Sequence, residues 1–118
     1  MVAFFCMNTA LLIASSAGST LHRHAYAFTL ALTKQTAVRL IYFAGPSVNV
    51  VESEHTTLLQ QWQALARAAG CALYLCSNGA KIADSEAALQ DIEIIGHATW
   101  IALSSDVDRV FTFPGASS

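Results

Sequence analysis

The sequence predicts an α/β fold in one domain: a doubly wound, mostly parallel sheet of about five strands with helices on both faces. Three observations point there. At 118 residues the chain is long enough for one buried core and too short for two. Short apolar runs alternate with stretches of helical periodicity, the pattern of strands joined by crossover helices. Clusters of Gly, Pro and Ser punctuate the boundaries, with no repeat, charge run or Pro-rich linker between them.

Taken in order, Thr9 to Ser15 ("TALLIAS") is a continuous apolar run of strand length that passes into the turn-rich "SAGST". From Thr20 to about Leu32, the apolar residues Leu21, Ala25, Phe28 and Leu32 recur at helical spacing, with Ser19 or Thr20 as the cap. "AVRLIYFAG" reads as a second strand ended by Gly45-Pro46. Ser53 is expected to cap a second helix that sets Leu58, Leu59, Trp62, Leu65, Ala66 and Ala69 on one face and stops at Gly70. "CALYLC" is the third strand. Beyond it the pattern is weaker: a short helix starting at Asp84-Ser85-Glu86, a strand from Ile92 to Ile95, a helix in "HATWIALSS" and a last strand from Arg109 to Phe113.

Composition narrows the function classes. Only 12% of residues are charged and 54% are hydrophobic, lean for a surface that is wholly solvated, which points to subunit contacts over a monomer with a Ser/Thr/Ala surface. The formal charge of −2 provides no footprint for a nucleic-acid backbone. The opening stretch is uncharged up to Arg23, with small residues at Ser15-Ser16-Ala17, yet it lacks the basic n-region of a signal peptide. Asn8, Thr9, Ser15, Ser16 and Gly18 interrupt it too often for a bilayer span. A retained strand and loop are expected, residues 1–118 forming the domain; a start at Met7-Asn8 would make residues 1–7 an N-terminal extension.

The cysteines are Cys6, Cys71 and Cys76, an odd count that does not suggest a disulfide framework. Cys71 and Cys76 lie at opposite ends of the third strand, so their Cα atoms stand roughly 16 Å apart and their side chains on opposite faces. A disulfide needs Cα atoms within about 7 Å. A reducing, cytoplasmic location fits these thiols best. Cys71 is expected in the core, and Cys6 carries no information.

In open α/β sheets, reactive groups gather outside the carboxyl ends of the strands where strand order reverses, commonly between the first and third strands. Two loops are expected to meet there, Ser15 to Thr20 and Cys76 to Lys81. Cys76 is the candidate nucleophile. A thiol at the carboxyl end of a central strand reaches solvent, and backbone N–H groups of a following turn favour its thiolate. Lys81, His22 and the small residues Ser77, Asn78 and Gly79 are candidates to tune that thiol or shape its pocket. His22 is otherwise read as a solvated residue of the first helical turn. His22 and His24 diverge by about 200° on a helix, and His55 and His97 have no ligand partner at useful spacing, so no metal site is indicated. A competing signal is the loop Ser15, Ser16, Gly18, Ser19 and Thr20, which can hold a phosphate on backbone N–H groups at a helix start. It resembles the phosphate loop of flavodoxins, although "SNGAK" supplies no aromatic wall for a flavin.

At "LYLCSNGAKIADSEAAL" the chain resembles the DsrE/TusD-type (DsrE/DsrF-like) sulfur-relay family, small α/β subunits with a reactive cysteine at the end of the third strand. "TALLIASSAGST", "HAYAFTLALTK", "LIYFAGPSVNV", "LLQQWQALARAAGCALYLC" and "VDRVFTF" extend the likeness over most of Asn8 to Phe113. The resemblance implies a sulfurtransferase subunit in which Cys76 accepts sulfane sulfur as a persulfide and hands it on. It also implies sulfur donor and acceptor proteins as partners, trimeric or hexameric assembly, and neither metal nor organic cofactor. The family's turn after the cysteine resembles Arg-Arg-Gly, whereas here Lys81 is the single cation. The alternatives are a phosphate- or nucleotide-binding module built on the Ser15 to Thr20 loop, and a structural relay subunit that performs no chemistry.

Overall fold

A computed structural model describes residues 7–77 and 89–115. Cys6, the turn residues Asn78 and Gly79, Lys81 and the helix start predicted at Asp84-Ser85-Glu86 lie outside the described residues. In chain order the elements are β1 (Asn8–Ile13), α1 (Thr20–Leu32), β2 (Ala37–Phe43), α2 (Thr56–Ala69), β3 (Ala72–Cys76), β4 (Ile92–Ile95), α3 (His97–Ser104) and β5 (Arg109–Phe113), with 3-10 turns at Gly45–Val51 and Ser53–His55.

The five strands form one sheet in the order β4-β3-β2-β1-β5, and every pairing is parallel. Successive strands step from β1 to β4 in one direction; the chain then returns through α3 and adds β5 to the free side of β1. The strand order therefore reverses between β1 and β5, because β2 occupies the other side of β1 and separates it from β3. This corrects the expectation that the first and third strands flank the switch point.

Alternation along the strands sorts the core into two layers. Leu11, Ile13, Ile41, Phe43, Leu73 and Leu75 pack with Ala25 of α1 and with Leu59, Trp62, Leu65 and Ala66 of α2. On the other face Ala10, Tyr42, Tyr74 and Ile95 pack under Trp100 of α3, with Leu12, Leu40 and Cys76 at the margin. Two helices thus cover one face and α3 covers the other.

Both long helices depart from the sequence reading in detail. Ser19 caps α1, its hydroxyl accepting the His22 N–H, but the fully buried stripe is His22, Ala25 and Thr29. Phe28, expected inside, is 37% exposed and packs edge-on against Phe111 and Phe113. The period was legible and the exact phase was not, since apolar and polar residues alternate around α1 without one wholly apolar face. Ser53 does not cap α2: it lies in the preceding 3-10 turn, and His55 holds the cap position with no side-chain hydrogen bond. At the other end Gly70 closes α2 in the left-handed region, with φ of 70°.

Candidate functional site

Parallel strands bring all five carboxyl ends to one edge of the sheet, where they divide into two groups. The ends of β1, β2 and β5 are fastened to one another. Ala14 donates to the Phe113 carbonyl at 2.8 Å and Ala44 to the Ile13 carbonyl at 3.0 Å. The Ser47 hydroxyl donates to the carbonyls of Ile13 and Ala44, and that of Ser15 donates to the Pro114 carbonyl at 2.9 Å.

The Ser15 to Thr20 loop belongs to this group, and much of its hydrogen-bonding capacity is spent within the chain. The Ala17 N–H donates to Asn49 Oδ1 at 2.8 Å, Asn49 Nδ2 donates to the Ser16 hydroxyl at 2.9 Å, and the Ser19 hydroxyl donates to the Ser16 carbonyl at 2.7 Å. Gly18 and Thr20 are exposed, and Gly18 borders an open cleft of about 390 Å³ with Arg23, Glu54 and His55. Glu52, Glu54 and His55 bring their ligand atoms within 4.8 Å of one another beside it.

His22 is not solvated, and it does not face the thiol. It is fully buried on the α1/α2 face. Its Nδ1–H donates to the Ser15 carbonyl at 2.7 Å and its Nε2 accepts the Trp62 indole N–H at 3.0 Å. Its ring stacks on Phe43 with centroids 6.1 Å apart. With both nitrogens committed the imidazole is held as the neutral Nδ1–H tautomer, and burial pushes its pKa down from 6.5. Sequence reasoning missed this role because a histidine in a first helical turn carries no sign of which way the helix faces.

Cys76 closes β3 at the same sheet edge but points into the other layer. It is half-buried against Tyr42, Tyr74, Ile95 and Trp100. Ser77 follows it and is exposed. Cys71, at the far end of the strand, packs against the α1/α2 layer. Burial pushes that thiol up to about 12, which keeps it protonated and inert. The two cysteines occupy opposite faces, as the strand period requires, and both are free.

The surroundings of Cys76 include residues that sequence reasoning did not select. Register sets Cys76 beside Ile95, and Gly96 is the N-cap of α3. No side chain caps α3, and the first helical hydrogen bond runs from the Trp100 N–H to the Gly96 carbonyl. The positive end of the helix is therefore open at the edge that carries the thiol. Tyr42 stands opposite Tyr74, which makes Cys76 its diagonal neighbour on the same face. The Tyr42 ring stacks on Trp100 with centroids 4.9 Å apart and lies 6.4 Å from His97. Its hydroxyl is fully buried and has no hydrogen-bond partner, which ordinarily costs about 1–3 kcal/mol. Burial and the nearby Cys76 sulfur both push the Tyr42 pKa up. Among the described residues it is the buried side-chain polar atom without a partner.

A free thiol at a strand end, an uncapped helix start and an unpartnered hydroxyl are thus brought together on this face of the sheet. The model of the DsrE/DsrF-like family matches residues 7–113. The chain belongs to the DsrE/DsrF-like family. This family is broadly tied to sulfur relay. In its fold the DsrE-like chain resembles the crystal structure of the YchN protein from E. coli, with a TM-score of 0.69 and 18% sequence identity over 91% of this chain and 100% of that one. No curated protein matches the chain. Among the described residues no helix is long and apolar enough to cross a membrane.

Proposed function

We propose that this DsrE-like chain is a sulfur carrier in which Cys76 accepts sulfane sulfur as a persulfide and passes it to an acceptor thiol. The observation that supports it is the position of Cys76, half-buried at the carboxyl end of β3 beside the uncapped start of α3. In loading, the Cys76 thiolate attacks the outer sulfur of a donor persulfide. A new S–S bond forms at Cys76 while the donor's S–S bond breaks, and its electron pair leaves on the donor thiolate. Discharge is the same exchange in reverse sense, with an acceptor thiolate as nucleophile and Cys76 as leaving group. Neither step requires an external oxidant, a metal or an organic cofactor. Cys71 faces the other layer, so among the described residues the persulfide has no internal thiol beside it to close a disulfide.

The partners in this reading are sulfur donor and acceptor proteins in the cytoplasm. A trimer or hexamer, of this chain alone or with sister subunits, would cover apolar side chains left at the surface, among them Ile94, Ile101 and Val110. Lys81, Ser77, Asn78 and Gly79 would shape the approach to the thiol.

The test is intact-protein mass spectrometry after incubation with a sulfane-sulfur donor. The native chain and Cys71→Ser are expected to gain one sulfur atom that reductant removes, and Cys76→Ser to gain none. Absence of any gain at Cys76 with small-molecule and protein persulfide donors would leave a structural subunit as the better account.

A further inference from the structure

The Tyr42 hydroxyl is anomalous as a structural feature. Tyrosine in a core ordinarily finds a partner for its O–H, yet this one is fully buried with no hydrogen bond of normal geometry, and the Cys76 sulfur is the polar group that acts on it. The ring alone accounts for the packing on Trp100, which phenylalanine would reproduce. The hydroxyl calls for a separate explanation, and its diagonal neighbour across the β2–β3 ladder is the Cys76 side chain.

We propose that Tyr42 is a positioning residue that donates its O–H to the Cys76 Sγ whenever that sulfur carries charge. This rests on the sulfur-carrier reading and adds to it a reason why the sulfur can alternate between nucleophile and leaving group. A neutral thiol is a weak hydrogen-bond acceptor, so with the thiol protonated the hydroxyl gains little. A thiolate is a strong acceptor, and a hydrogen bond to a charged group is about twice as strong as a neutral one. Sγ bears the negative charge just before loading, when it attacks the donor's outer sulfur. It bears the charge again just after discharge, when the Sγ–S bond breaks and the electron pair returns to it. In the loaded state between them Sγ is divalent and uncharged. One fixed donor aimed at Sγ therefore assists both half-reactions and leaves the outer sulfur free for the acceptor.

The open start of α3 adds to the same field. Other titratable groups facing this layer among the described residues are His97 at the start of α3, Glu93 on β4 and Tyr74 on β3. Glu93 pairs with Tyr74, and each lies one pleat back from the thiol on its face. His97 is exposed and stands at the start of α3, so the comparison is made in a His97→Gln background.

The experiment measures iodoacetamide alkylation at the peptide bearing Cys76, as a function of pH, in the full chain with Tyr42 and with Tyr42→Phe. The variant is expected to react about tenfold more slowly near neutral pH, the factor set by loss of one hydrogen bond to a charged group, and to show its rate rise at higher pH. Its thermal midpoint is expected not to fall, since the hydroxyl removed has no partner. Coincident pH profiles would overturn the proposal. A second readout needs no variant at Tyr42: ultraviolet difference spectra of the native chain should show a tyrosine perturbation that tracks thiol ionisation and vanishes in Cys76→Ser. A perturbation that survives in Cys76→Ser would overturn it equally. Alkylation and spectra decide the role of Tyr42 even if Cys76 takes up no sulfane sulfur, so failure of the carrier reading is seen separately in the mass measurement.

Discussion

His22 illustrates how a single buried side chain ties stability to pH. Its imidazole joins the Ser15 carbonyl to the Trp62 indole, and burial holds its pKa below 6.5. In the unfolded chain it takes a proton near 6.5. Below that pH the unfolded state binds more protons than the folded one, so stability is fully present above about 6.5 and declines as the pH falls, at up to about 1.4 kcal/mol per pH unit. Urea midpoints measured from pH 7.5 downward, at roughly half-unit steps, are expected to show this slope, and His22→Gln to lack that part of it while losing about 2 kcal/mol throughout. The placement of Cys71 and Cys76 on opposite faces was legible because a two-residue period dictates it. Tyr42 was not, because only the register between β2 and β3 reveals that it lies diagonally across from Cys76 on the same face.

Helices were legible in extent where their ends carry specific chemistry. Ser19, one of the two caps the sequence offered, begins α1, and Gly70 ends α2 as expected. Gly70 has φ of 70°, and a Cβ there would meet nothing within 4 Å. Gly70→Ala is therefore expected to cost about 1 kcal/mol through backbone conformation alone, measured by denaturant unfolding with an unchanged m-value. What the sequence could not supply was phase and fine position. The α1 segment offers Leu21, Ala25, Phe28 and Leu32 as an apolar stripe. Ala25 is fully buried as expected, but His22 and Thr29 flank it inside in place of Leu21 and Phe28 because their polar groups find partners there. Thr29 donates to the Ala25 carbonyl at 2.7 Å. Ser53 looked like a cap because serine serves that role widely. Here the 3-10 turn delays the helix to Thr56.

For the whole molecule, the parallel sheet followed from the alternation of apolar runs and helical patterns, while strand order did not. Apolar runs specify burial on both faces and say little about which strand lies next to which. The consequence is an uneven cover, with two helices on one face and α3 alone on the other. Ile101 on α3 is 57% exposed and Val110 on β5 is 44% exposed. In the proposed assembly these side chains are covered by a neighbouring subunit, and Ile101→Glu is expected to shift sedimentation-velocity profiles toward smaller species without loss of helicity. An unchanged distribution would place the interface elsewhere.

The late arrival of β5 also bears on how the chain is made. The Asn8 N–H at the start of β1 donates to Asp108, 100 residues further along, so one whole side of β1 stays unpaired until almost all of the domain has left the ribosome. At translation rates of about 5–20 residues per second, that edge waits for several seconds with its backbone amides and carbonyls open. Closing it requires the most distant contact in the sheet, the kind that slows folding. Throughout that interval the nascent chain exposes a strand edge on which another nascent copy can pair.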